Sequence, residues 1–451
     1  MDLKGKTVTV VGLGNSGLNA ALLLYELGAI VKATDAGDSD VIRKNANALK
    51  AKGIAVEIGV HTEGFVKTSQ LVVVSPGVED TSPVIRWALD LKIPIIGEME
   101  LGFRYCKGNI LAITGTNGKT TVTTLIGRIL KSELKDVIVC GNIGNSLCGE
   151  INRIKKDTWV VLEVSSFQLE RIESFKPRIG IILNITDDHM DRYSRFDDYF
   201  KAKLNLFRNQ DSEDLLILNY DAENIRGLKE LARSKVMFYS RFKNTNGSYL
   251  NGTKLCCASS SGEVEICDIA DIKLKGLHNV ENVMASSLAG MLAGITPASI
   301  RRTVMEFKGL PHRYETVAII KDVEYIDDSK GTTVDSTKRA LESCSKPVIL
   351  IAGGKDKKSN YALVKNIVKE RVKHMVLIGE AAGAIQKTLG SATSTYVAKD
   401  MLEAVHLCAS LAHKGDAVML SPMCSSFDMF SSYKERGEVF KKAVEGLKAF
   451  K

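Results

Sequence analysis

The sequence predicts an α/β protein of three domains, each built on a mostly parallel sheet. Its 451 residues are too many for one hydrophobic core, because domains average about 150 residues. Along the whole chain, short apolar runs end in Gly, Ser, Lys or Asp and pass into helical patterns. This alternation is typical of parallel sheets that bind ligands at the carboxyl ends of their strands. We place the domains at residues 1–97, 98–309 and 310–451.

The composition is that of an ordinary soluble protein. The net charge is +8, but the basic residues are scattered, so we expect no nucleic-acid partner. Nine cysteines without a CxxC pair indicate buried thiols in a reducing compartment. The N-terminus shows no signal-peptide pattern, and no apolar run reaches the about 18 residues of a membrane span. We therefore expect a cytoplasmic, monomeric protein that is not a membrane protein.

A glycine-rich turn follows the first strand, Thr7 to Val11, and leads into a helical stretch. In this context Gly12-Leu13-Gly14-Asn15-Ser16-Gly17 predicts a Rossmann-like domain, with a diphosphate at the helix N-terminus and Asp35 near a ribose. A second buried strand, Leu71 to Val74, leads into Ser75-Pro76-Gly77 at the same edge of the predicted sheet. The candidate ligand residues are Gly14, Asn15, Ser16, Asp35, Ser75, Pro76 and Gly77. Nicotinamide dinucleotide is one possible ligand, and the alternative is that the glycines serve helix–strand packing alone.

A second glycine-rich turn opens the central domain, between an apolar run and a helical pattern. Its glycines admit phosphate, Lys119 can reach the outer phosphates, and the Thr120 hydroxyl can ligate Mg²⁺. Ile113 stands where the strict GxxxxGK[ST] pattern has its first glycine, so the loop is shorter. The alternative without a binding function is a glycine-rich strand-to-helix turn with a surface lysine. We predict a P-loop ATPase-like domain that binds ATP through Gly115, Thr116, Asn117, Gly118, Lys119, Thr120 and Thr121.

Two further strand ends in the central domain carry candidate metal ligands. Glu163 follows an apolar strand, and such carboxylates beside a phosphate loop commonly hold Mg²⁺. The alternative for Glu163 is a cap on the next helix. His189 follows another strand within a cluster of acids, although an isolated histidine is more often structural. Nothing in the spacing distinguishes Lys203 from an exposed lysine.

Beyond residue 270, two features point to nucleotide chemistry. His278-Asn279-Val280-Glu281-Asn282 opens a helix of small residues whose amides could contact a purine or ribose, or whose asparagine could cap the helix. After the linker Gly309-Leu310-Pro311-His312-Arg313, four strands again end in small or charged residues. These endings predict a second Rossmann-like domain at the C-terminus.

Seven motifs, in order along nearly the whole chain, closely resemble the Mur ligase family. They are Gly-Thr-Asn-Gly-Lys-Thr-Thr at 115–121, Glu-Val-Ser-Ser-Phe-Gln at 163–168, Asp-His-Met-Asp-Arg-Tyr at 188–193, His-Asn-Val-Glu-Asn at 278–282, Gly-Leu-Pro-His-Arg at 309–313, Asp-Ser-Lys-Gly-Thr at 328–332, and Ser-Pro with Ser-Ser within 421–426. The resemblance implies an ATP-dependent amide ligase of peptidoglycan precursor synthesis. Its first-domain turn, its His-Met-Asp-Arg-Tyr string and its linker imply D-glutamate as amino acid and UDP-N-acetylmuramoyl-L-alanine as acceptor.

The resemblance also implies roles for individual residues. Lys119 would contact the ATP phosphates, and two Mg²⁺ ions would be held by Thr120, Glu163, His189 and a carbamylated Lys203. Catalysis would depend on Lys119, His189 and Lys203. Further ATP contacts are implied for Asn282, Arg313 and Asp328, UDP-substrate contacts for Asn142 and Ser165, and D-glutamate contacts for Thr332, Lys357, Ser426, Phe427 and Tyr433. Thr333, where the family usually has Asn, and Tyr433, where Phe is common, depart from its pattern.

Rival functions stay open from the residues alone. A folylpolyglutamate-type ligase would share the short phosphate loop but would not need the first domain. A sister Mur ligase adding another amino acid would differ only in the third-domain pocket. From another class, an NAD-dependent oxidoreductase is suggested by the first 35 residues, and a non-catalytic nucleotide-binding module is the last alternative.

Overall fold

The computed structural model describes residues 2–188, 192–193, 195–259, 262–274, 276–356 and 359–448. Its contacts divide the chain into two compact units. The first unit comprises residues 1–185, 193–267 and 283–304, and the second comprises 186–192, 268–282 and 305–451. The predicted domain boundaries after residues 97 and 309 stay a prediction. Sheets and helices confirm the α/β class.

The first sheet of the first unit has five strands in the order β3-β2-β1-β4-β5, all parallel. Its strands are β1 (Thr7–Val11), β2 (Ile30–Asp35), β3 (Ala55–Ile58), β4 (Leu71–Val74) and β5 (Ile95–Gly97). Its helices are α1 (Asn15–Glu26), α2 (Asp40–Lys50), α3 (Glu63–Val66), α4 (Pro83–Asp90) and α5 (Glu98–Tyr105). This is the predicted Rossmann-like arrangement, in which β2 and β3 lie on one side of β1 and β4 and β5 lie on the other.

The second sheet has nine strands in the order β14-β13-β12-β11-β10-β9-β6-β8-β7. The strands are β6 (Asn109–Thr114), β7 (Val137–Gly141), β8 (Trp159–Glu163), β9 (Ile179–Ile182), β10 (Leu215–Asn219), β11 (Lys235–Ser240), β12 (Ser248–Asn251), β13 (Lys254–Ser259) and β14 (Gly262–Asp268). Strand β6 lies between β9 and β8, and all three are parallel. The phosphate loop predicted at the end of β6 is therefore flanked by two other strand ends.

Helices of the following chain segment are α6 (Lys119–Lys131), α7 (Leu147–Glu150), α8 (Ser166–Leu169), α9 (Phe196–Leu204), α10 (Glu223–Arg226), α11 (Leu277–Leu292) and α12 (Pro297–Glu306). The Asn246-Gly247 and Asn251-Gly252 turns and the polar composition of stretch 240–270 predict a surface meander, and this prediction is wrong, because the stretch contains strands β12 to β14 of the sheet. Its cysteines Cys256, Cys257 and Cys267 are buried. Serine and glycine concealed the alternation of buried and exposed positions that marks a strand.

The second unit is built on a six-stranded sheet in the order β15-β16-β20-β17-β18-β19. Its strands are β15 (Glu315–Ile320), β16 (Val323–Asp327), β17 (Val348–Gly353), β18 (Val372–Ile378), β19 (Ser394–Val397) and β20 (Ala417–Leu420). Only β15 is antiparallel to its neighbour. The helices are α13 (Val334–Ser343), α14 (Lys365–Arg371), α15 (Ala382–Leu389), α16 (Met401–Leu411) and α17 (Tyr433–Gly446).

The apolar strands form the cores of both units. The central strands β1, β6, β8 and β17 are almost wholly buried, as expected for parallel strands covered by helices on both faces. All nine cysteines are free thiols, and every one except Cys106 is buried, which confirms the prediction of buried thiols. Among the described residues, the longest apolar helices are too short or too polar to cross a bilayer.

Candidate active site

The glycine-rich turn after β6 has the geometry that an anion-binding loop requires. Gly115 has φ +154°, and a β-carbon there would lie 3.1 Å from the Leu183 side chain and 3.2 Å from the Asn184 carbonyl oxygen. Gly118 has φ +87° and is the N-cap residue of α6, where it provides no capping side chain. A larger residue at either position would be strained. The first amides of a 13-residue helix therefore border the turn.

Asn184, just beyond β9, holds the turn in shape. Its side-chain oxygen accepts the amide hydrogen of Asn117 at 2.8 Å, and its side-chain nitrogen donates to the carbonyl of Asn117 at 3.1 Å. The backbone oxygen of Asn184 also accepts the amide of Thr116. Sequence reasoning did not assign this role to Asn184. Its position at the end of a strand beside the loop was the only available signal.

Lys119 lies over the turn. Its ammonium donates to the carbonyl oxygens of Gly115 at 2.7 Å and Thr116 at 2.9 Å. The neighbouring Thr120 is half-buried, and Thr121 is buried in α6. The predicted arrangement of glycines, lysine and hydroxyl at a strand-to-helix junction is thus present, and it concentrates positive potential in a small volume.

Glu163, the last residue of β8, is buried beside this turn and pairs with Ile113 of β6 in the sheet register. One carboxylate oxygen, Oε1, accepts a hydrogen bond from the Asn142 side chain at 3.0 Å. The other, Oε2, is buried with no hydrogen-bond partner among the residues that the structure describes. A buried carboxylate oxygen of this kind is costly unless a cation or donor completes it. The helix-capping alternative is wrong, because Ser165 caps α8 through a capping box with Gln168.

Lys203 is buried, although its spacing in the sequence does not distinguish it from an exposed lysine. On α9, its ammonium donates to the Gly115 carbonyl at 3.1 Å and lies 4.6 Å from the centre of the Tyr199 ring. Tyr199 in turn shares a hydrogen bond of 3.0 Å with the Thr116 hydroxyl. The lysine therefore belongs to the wall of the phosphate turn. His189, the other predicted metal ligand, lies outside the described residues.

A cavity of about 650 Å³ lies at the carboxyl edge of the first sheet and extends to the end of β7. Nearly all predicted UDP-substrate residues line it: Gly14, Asn15, Ser16, Asp35, Ser75, Pro76, Gly77 and Asn142. Ser165 is absent from its lining, and the Ser165 hydroxyl is engaged in capping α8. His61 and Gln168 also line the cavity, and sequence reasoning assigned neither of them a site.

The glycines of the first turn divide between two roles. A β-carbon on Gly17 would lie 1.7 Å from the Gly12 carbonyl, so Gly17 permits the close approach of α1 to the strand end. A β-carbon on Gly14 would meet no atom within 4 Å. Packing therefore explains Gly17 but not Gly14, which borders the cavity. Asp35 accepts the amides of Leu13 at 2.6 Å and Gly37 at 2.7 Å, which fixes the turn and the strand end together.

Within the second unit, the predicted nucleotide residues lie near one another. Arg313 is close enough to act on the charges of both His278 and Asp328. Burial, with a smaller contribution from Arg339 and Arg313, lowers the pKa of His278 to about 4. Burial raises the pKa of Asp328 to about 7, although the Ser421 hydroxyl donates to it at 2.7 Å. Asn282 is buried, and its side chain donates to Asn279 at 2.9 Å.

The predicted amino-acid residues in the same unit lie on two strand ends and α17. Ser426 is buried, whereas Phe427 is 73% exposed. The ring of Tyr433 has the Lys330 ammonium 4.0 Å from its centre. Thr332 is half-buried, and Lys357 lies outside the described residues.

Arg436 organises these strand ends and was missed by sequence reasoning. Its guanidinium is fully buried and donates to the carbonyls of Ser329, Cys424 and Ser425 and to the Ser329 hydroxyl. Burial lowers the pKa of Arg436 to about 10, so the group remains charged at neutral pH. Cys424 is buried, and burial raises its pKa to about 11, so this thiol stays protonated and unreactive at neutral pH.

Family comparisons agree with this arrangement along the chain. Residues 6–97 match the model described as Mur ligase MurD-like, N-terminal domain. Residues 113–290 match the Mur ligase middle domain, and residues 312–424 match the Mur ligase, glutamate ligase domain. The glycine-rich turn after β1 falls inside the first match, the phosphate turn inside the second, and Arg313 and Asp328 inside the third.

Curated relatives resemble the chain from end to end. A UDP-N-acetylmuramoylalanine–D-glutamate ligase from Koribacter versatilis is 44% identical and covers 99% of both chains. Enzymes of the same name from Acidobacterium capsulatum and Geotalea daltonii are 43% and 41% identical, over 98% and 99% of this chain and 97% and 99% of their own.

Among solved structures, MurF from Acinetobacter baumannii has a TM-score of 0.62 at 15% identity, covering 98% of this chain and 91% of its own. MurC from Thermotoga maritima has a TM-score of 0.60 at 19% identity, covering 99% and 100%. At such identities the likeness establishes the fold alone.

Proposed function

Because this chain belongs to the Mur ligase family, we propose that it joins D-glutamate to UDP-N-acetylmuramoyl-L-alanine at the expense of ATP, in peptidoglycan precursor synthesis. One observation supports the reaction class above all. The cavity for a UDP-linked substrate and the phosphate turn meet at Glu163, whose carboxylate accepts the Asn142 amide from the cavity wall. The names of full-length relatives support D-glutamate as the amino acid.

The residues present suit Mg²⁺, the ion that accompanies ATP in this family. Hard divalent cations prefer oxygen ligands, and the buried Oε2 of Glu163 and the Thr120 hydroxyl provide them beside the turn. When bound, the ion neutralises phosphate charge and polarises the phosphoryl group. A second ion is proposed to use His189 and Lys203, which the family resemblance assigns to it.

Lys203 is proposed to act as a carbamate. Its side chain is buried beside the Gly115 carbonyl, in the wall of the phosphate turn. Addition of CO₂ to the uncharged amine would replace an ammonium by an anionic oxygen ligand, which is what a cation beside a triphosphate requires. Tyr199 would hold the modified side chain in place, because its ring already borders the Lys203 nitrogen and its hydroxyl is fixed by a hydrogen bond with Thr116.

The chemistry proceeds in two transfers. The substrate carboxylate attacks the γ-phosphorus of ATP, the bond to the β-bridging oxygen breaks, and ADP leaves an acyl phosphate behind. The uncharged amine of D-glutamate then attacks the acyl carbon, a tetrahedral intermediate forms, and inorganic phosphate leaves as the amide forms. Lys119 and the amides of α6 stabilise the negative charge that gathers in both steps.

Residues of the second unit complete the proposal. Asn282, Arg313 and Asp328 are proposed to contact the nucleotide, since Arg313 acts on Asp328 and on the helix start that holds Asn282. The D-glutamate site is assigned to Thr332, Lys357, Ser426, Phe427 and Tyr433. Domain boundaries at 97/98 and 309/310 belong to the same proposal, as does a cytoplasmic monomer that binds no nucleic acid.

Phosphate release tests this function directly. With ATP, Mg²⁺ and UDP-N-acetylmuramoyl-L-alanine, we expect release to depend on D-glutamate and to be absent with D-aspartate, L-lysine or diaminopimelate. Release with one of the latter instead would identify a sister ligase. Hydride transfer from NADH without any ATP turnover would reject the ligase altogether.

A further inference from the structure

His61 lies just beyond the end of β3, in the wall of the cavity that also contains Asp35. The order of strand ends is informative here. Strand β1 ends in the glycine-rich turn, its neighbour β2 ends in Asp35, and the next strand outward, β3, leads to His61. If the diphosphate lies at the turn and the ribose at Asp35, the outer end of the cavity receives the base.

The His61 ring is held by a short chain of hydrogen bonds. Thr34 of β2 pairs with Glu57 of β3 in the sheet register, and its hydroxyl donates to Glu57 at 3.2 Å. The same hydroxyl oxygen lies 2.7 Å from Nδ1 of His61. Both contacts are hydrogen bonds at the same time only when the hydroxyl donates to Glu57 and Nδ1 carries a proton and donates to Thr34, and we assign this tautomer. The ring is thereby left with an unprotonated Nε2.

Burial of the ring favours this neutral form. Burial lowers the pKa of His61, and the opposing effects of Asp35 and Glu57 are smaller. At neutral pH the ring is therefore uncharged, and Nε2 is a hydrogen-bond acceptor. Within the described part of the chain, no hydrogen bond to Nε2 is present. Thr34 itself is fully buried and does not line the cavity.

We propose that His61 is a specificity residue for the nucleoside end of the UDP-linked substrate, with Nε2 accepting a hydrogen bond from an N–H or O–H group of uridine. Thr34 is its positioning residue, acting through Nδ1. This inference rests on the proposed function, since it names how that substrate is recognised. Two donors share the required chemistry, the N3–H of the base and the ribose hydroxyls, and the outward position of β3 favours the base.

Steady-state kinetics of the full chain test the proposal, once the wild type has been shown to release phosphate with D-glutamate. For His61→Phe, which keeps a ring but has no acceptor, we expect the KM for UDP-N-acetylmuramoyl-L-alanine to rise about fivefold to tenfold. The KM values for ATP and D-glutamate and the kcat should change less than about twofold. Thr34→Val should raise the same KM, and should add nothing in the His61→Phe background.

Thr9→Val is the matched control for Thr34→Val. Thr9 is also fully buried, on the neighbouring strand β1, and its hydroxyl is shared with Ser69 at 2.7 Å. We expect Thr9→Val to leave the KM for the UDP-linked substrate within about twofold of wild type. The contrast separates loss of the His61 contact from general loosening of the sheet.

Inhibition by UDP, 2′-deoxy-UDP and 3-methyl-UDP identifies the donor. The analogue that lacks the donor should inhibit the wild type about fivefold to tenfold less than UDP, and the difference should vanish in His61→Phe. An unchanged KM in His61→Phe, or additive effects of the two substitutions, would overturn the inference while leaving the ligase function intact. A wild type without phosphate release would instead reject the proposed function.

Discussion

The side-chain amide of Asn142 donates to Oε1 of Glu163 at 3.0 Å, and this contact joins the substrate cavity to the phosphate turn. Asn142 follows Gly141, which pairs with Glu163 in the register of β7 and β8. The contact is therefore fixed by the sheet and not by a mobile loop. It orients a carboxylate whose second oxygen is available to a cation.

Asn142→Ala should therefore affect two parameters together. We expect the KM for the UDP-linked substrate to rise about tenfold, and the Mg²⁺ concentration for half-maximal activity to rise about tenfold or more, because supporting hydrogen bonds to metal ligands typically matter that much. Titrations of both at saturating ATP measure this. Asn152→Ala, which removes an exposed hydrogen bond to Glu26, is the control. A raised KM with unchanged Mg²⁺ dependence would contradict the shared role.

Lys119→Ala should lower phosphate release at least about a hundredfold, since it removes a preorganised cation from the phosphate turn. Binding of the UDP-linked substrate, measured by calorimetry, should stay within about twofold, because Lys119 does not line that cavity. Lys131→Ala, an exposed lysine at the other end of α6, provides the matched control. Loss of both activity and substrate binding would argue against two separate sites.

Lys203→Ala should be inactive and should recover part of its activity when formate or acetate is added, if a carbamate is the active form. The substitution leaves space beside the Gly115 carbonyl for a small carboxylate. Lys201→Ala removes an exposed lysine from the same helix and should retain activity with no response to the added acids. Absence of any rescue would leave the ammonium itself as the functional form.

Glu100→Gln should destabilise the first unit by about 2–3 kcal/mol at pH 7, because hydrogen bonds to a buried charge are strong. The buried Glu100 carboxylate accepts the amides of residues 173, 174 and 175 at 2.9–3.0 Å. Urea unfolding measures the loss, with the exposed Glu213→Gln as control.

The difference in stability between the wild type and Glu100→Gln should depend on pH, and its direction can be derived from the pKa of Glu100. Burial alone would raise the pKa of Glu100, but hydrogen bonds from Ser174, Arg104 and the amides outweigh it, so the pKa is lowered. The stabilisation is present above the ordinary pKa of about 4.5 and is lost as pH falls through the lower folded value. Wild type and variant should therefore converge in strong acid. A constant difference down to pH 2 would contradict the assignment.

For Asp328, the pH dependence of stability should have the opposite sign to that for Glu100, and Asp328→Asn tests it. Burial raises the pKa of Asp328 to about 7, so the folded state retains a proton that the unfolded state releases near pH 4. Stability of the wild type should fall as pH rises from about 4 to 7, whereas the variant should lack that part of the decline. Differential thermal unfolding at pH 5 and pH 8 measures it, at about 2–4 °C for each kcal/mol. Parallel curves would disprove the raised pKa.

Much of this site was predictable because strand ends of parallel sheets meet at one edge. Gly115 to Thr121, Glu163 and the cavity residues from Gly14 to Gly77 follow apolar runs directly, and the structure places them at such edges. The local sequence pattern was sufficient to find residues that lie in the turn directly after a strand. The family resemblance was needed for Lys203, since helical spacing alone cannot distinguish a buried lysine from an exposed one.

Other residues could not be found in this way because their roles depend on distant neighbours. Asn184 acts through Asn117, and Arg436 acts through carbonyls about a hundred residues upstream as well as nearby ones. His61 depends on Thr34 across two strands. The two members of each pair lie too far apart in the sequence for a local pattern to connect them. The polar strands β12 to β14 were missed for a related reason, since pairing within the sheet outweighed their weak intrinsic preference.

The hold of Asn184 on the phosphate turn also has a consequence for biosynthesis. Asn184 is added to the growing chain 67 residues after Asn117, the residue whose amide and carbonyl it binds. At about 5–20 residues per second, a ribosome needs about 3–13 s to cover that interval. The first sheet, complete at Gly97, has all its strands before the turn is even translated. During synthesis, every strand of the first sheet is therefore present in the chain before the phosphate loop can form its last hydrogen bonds.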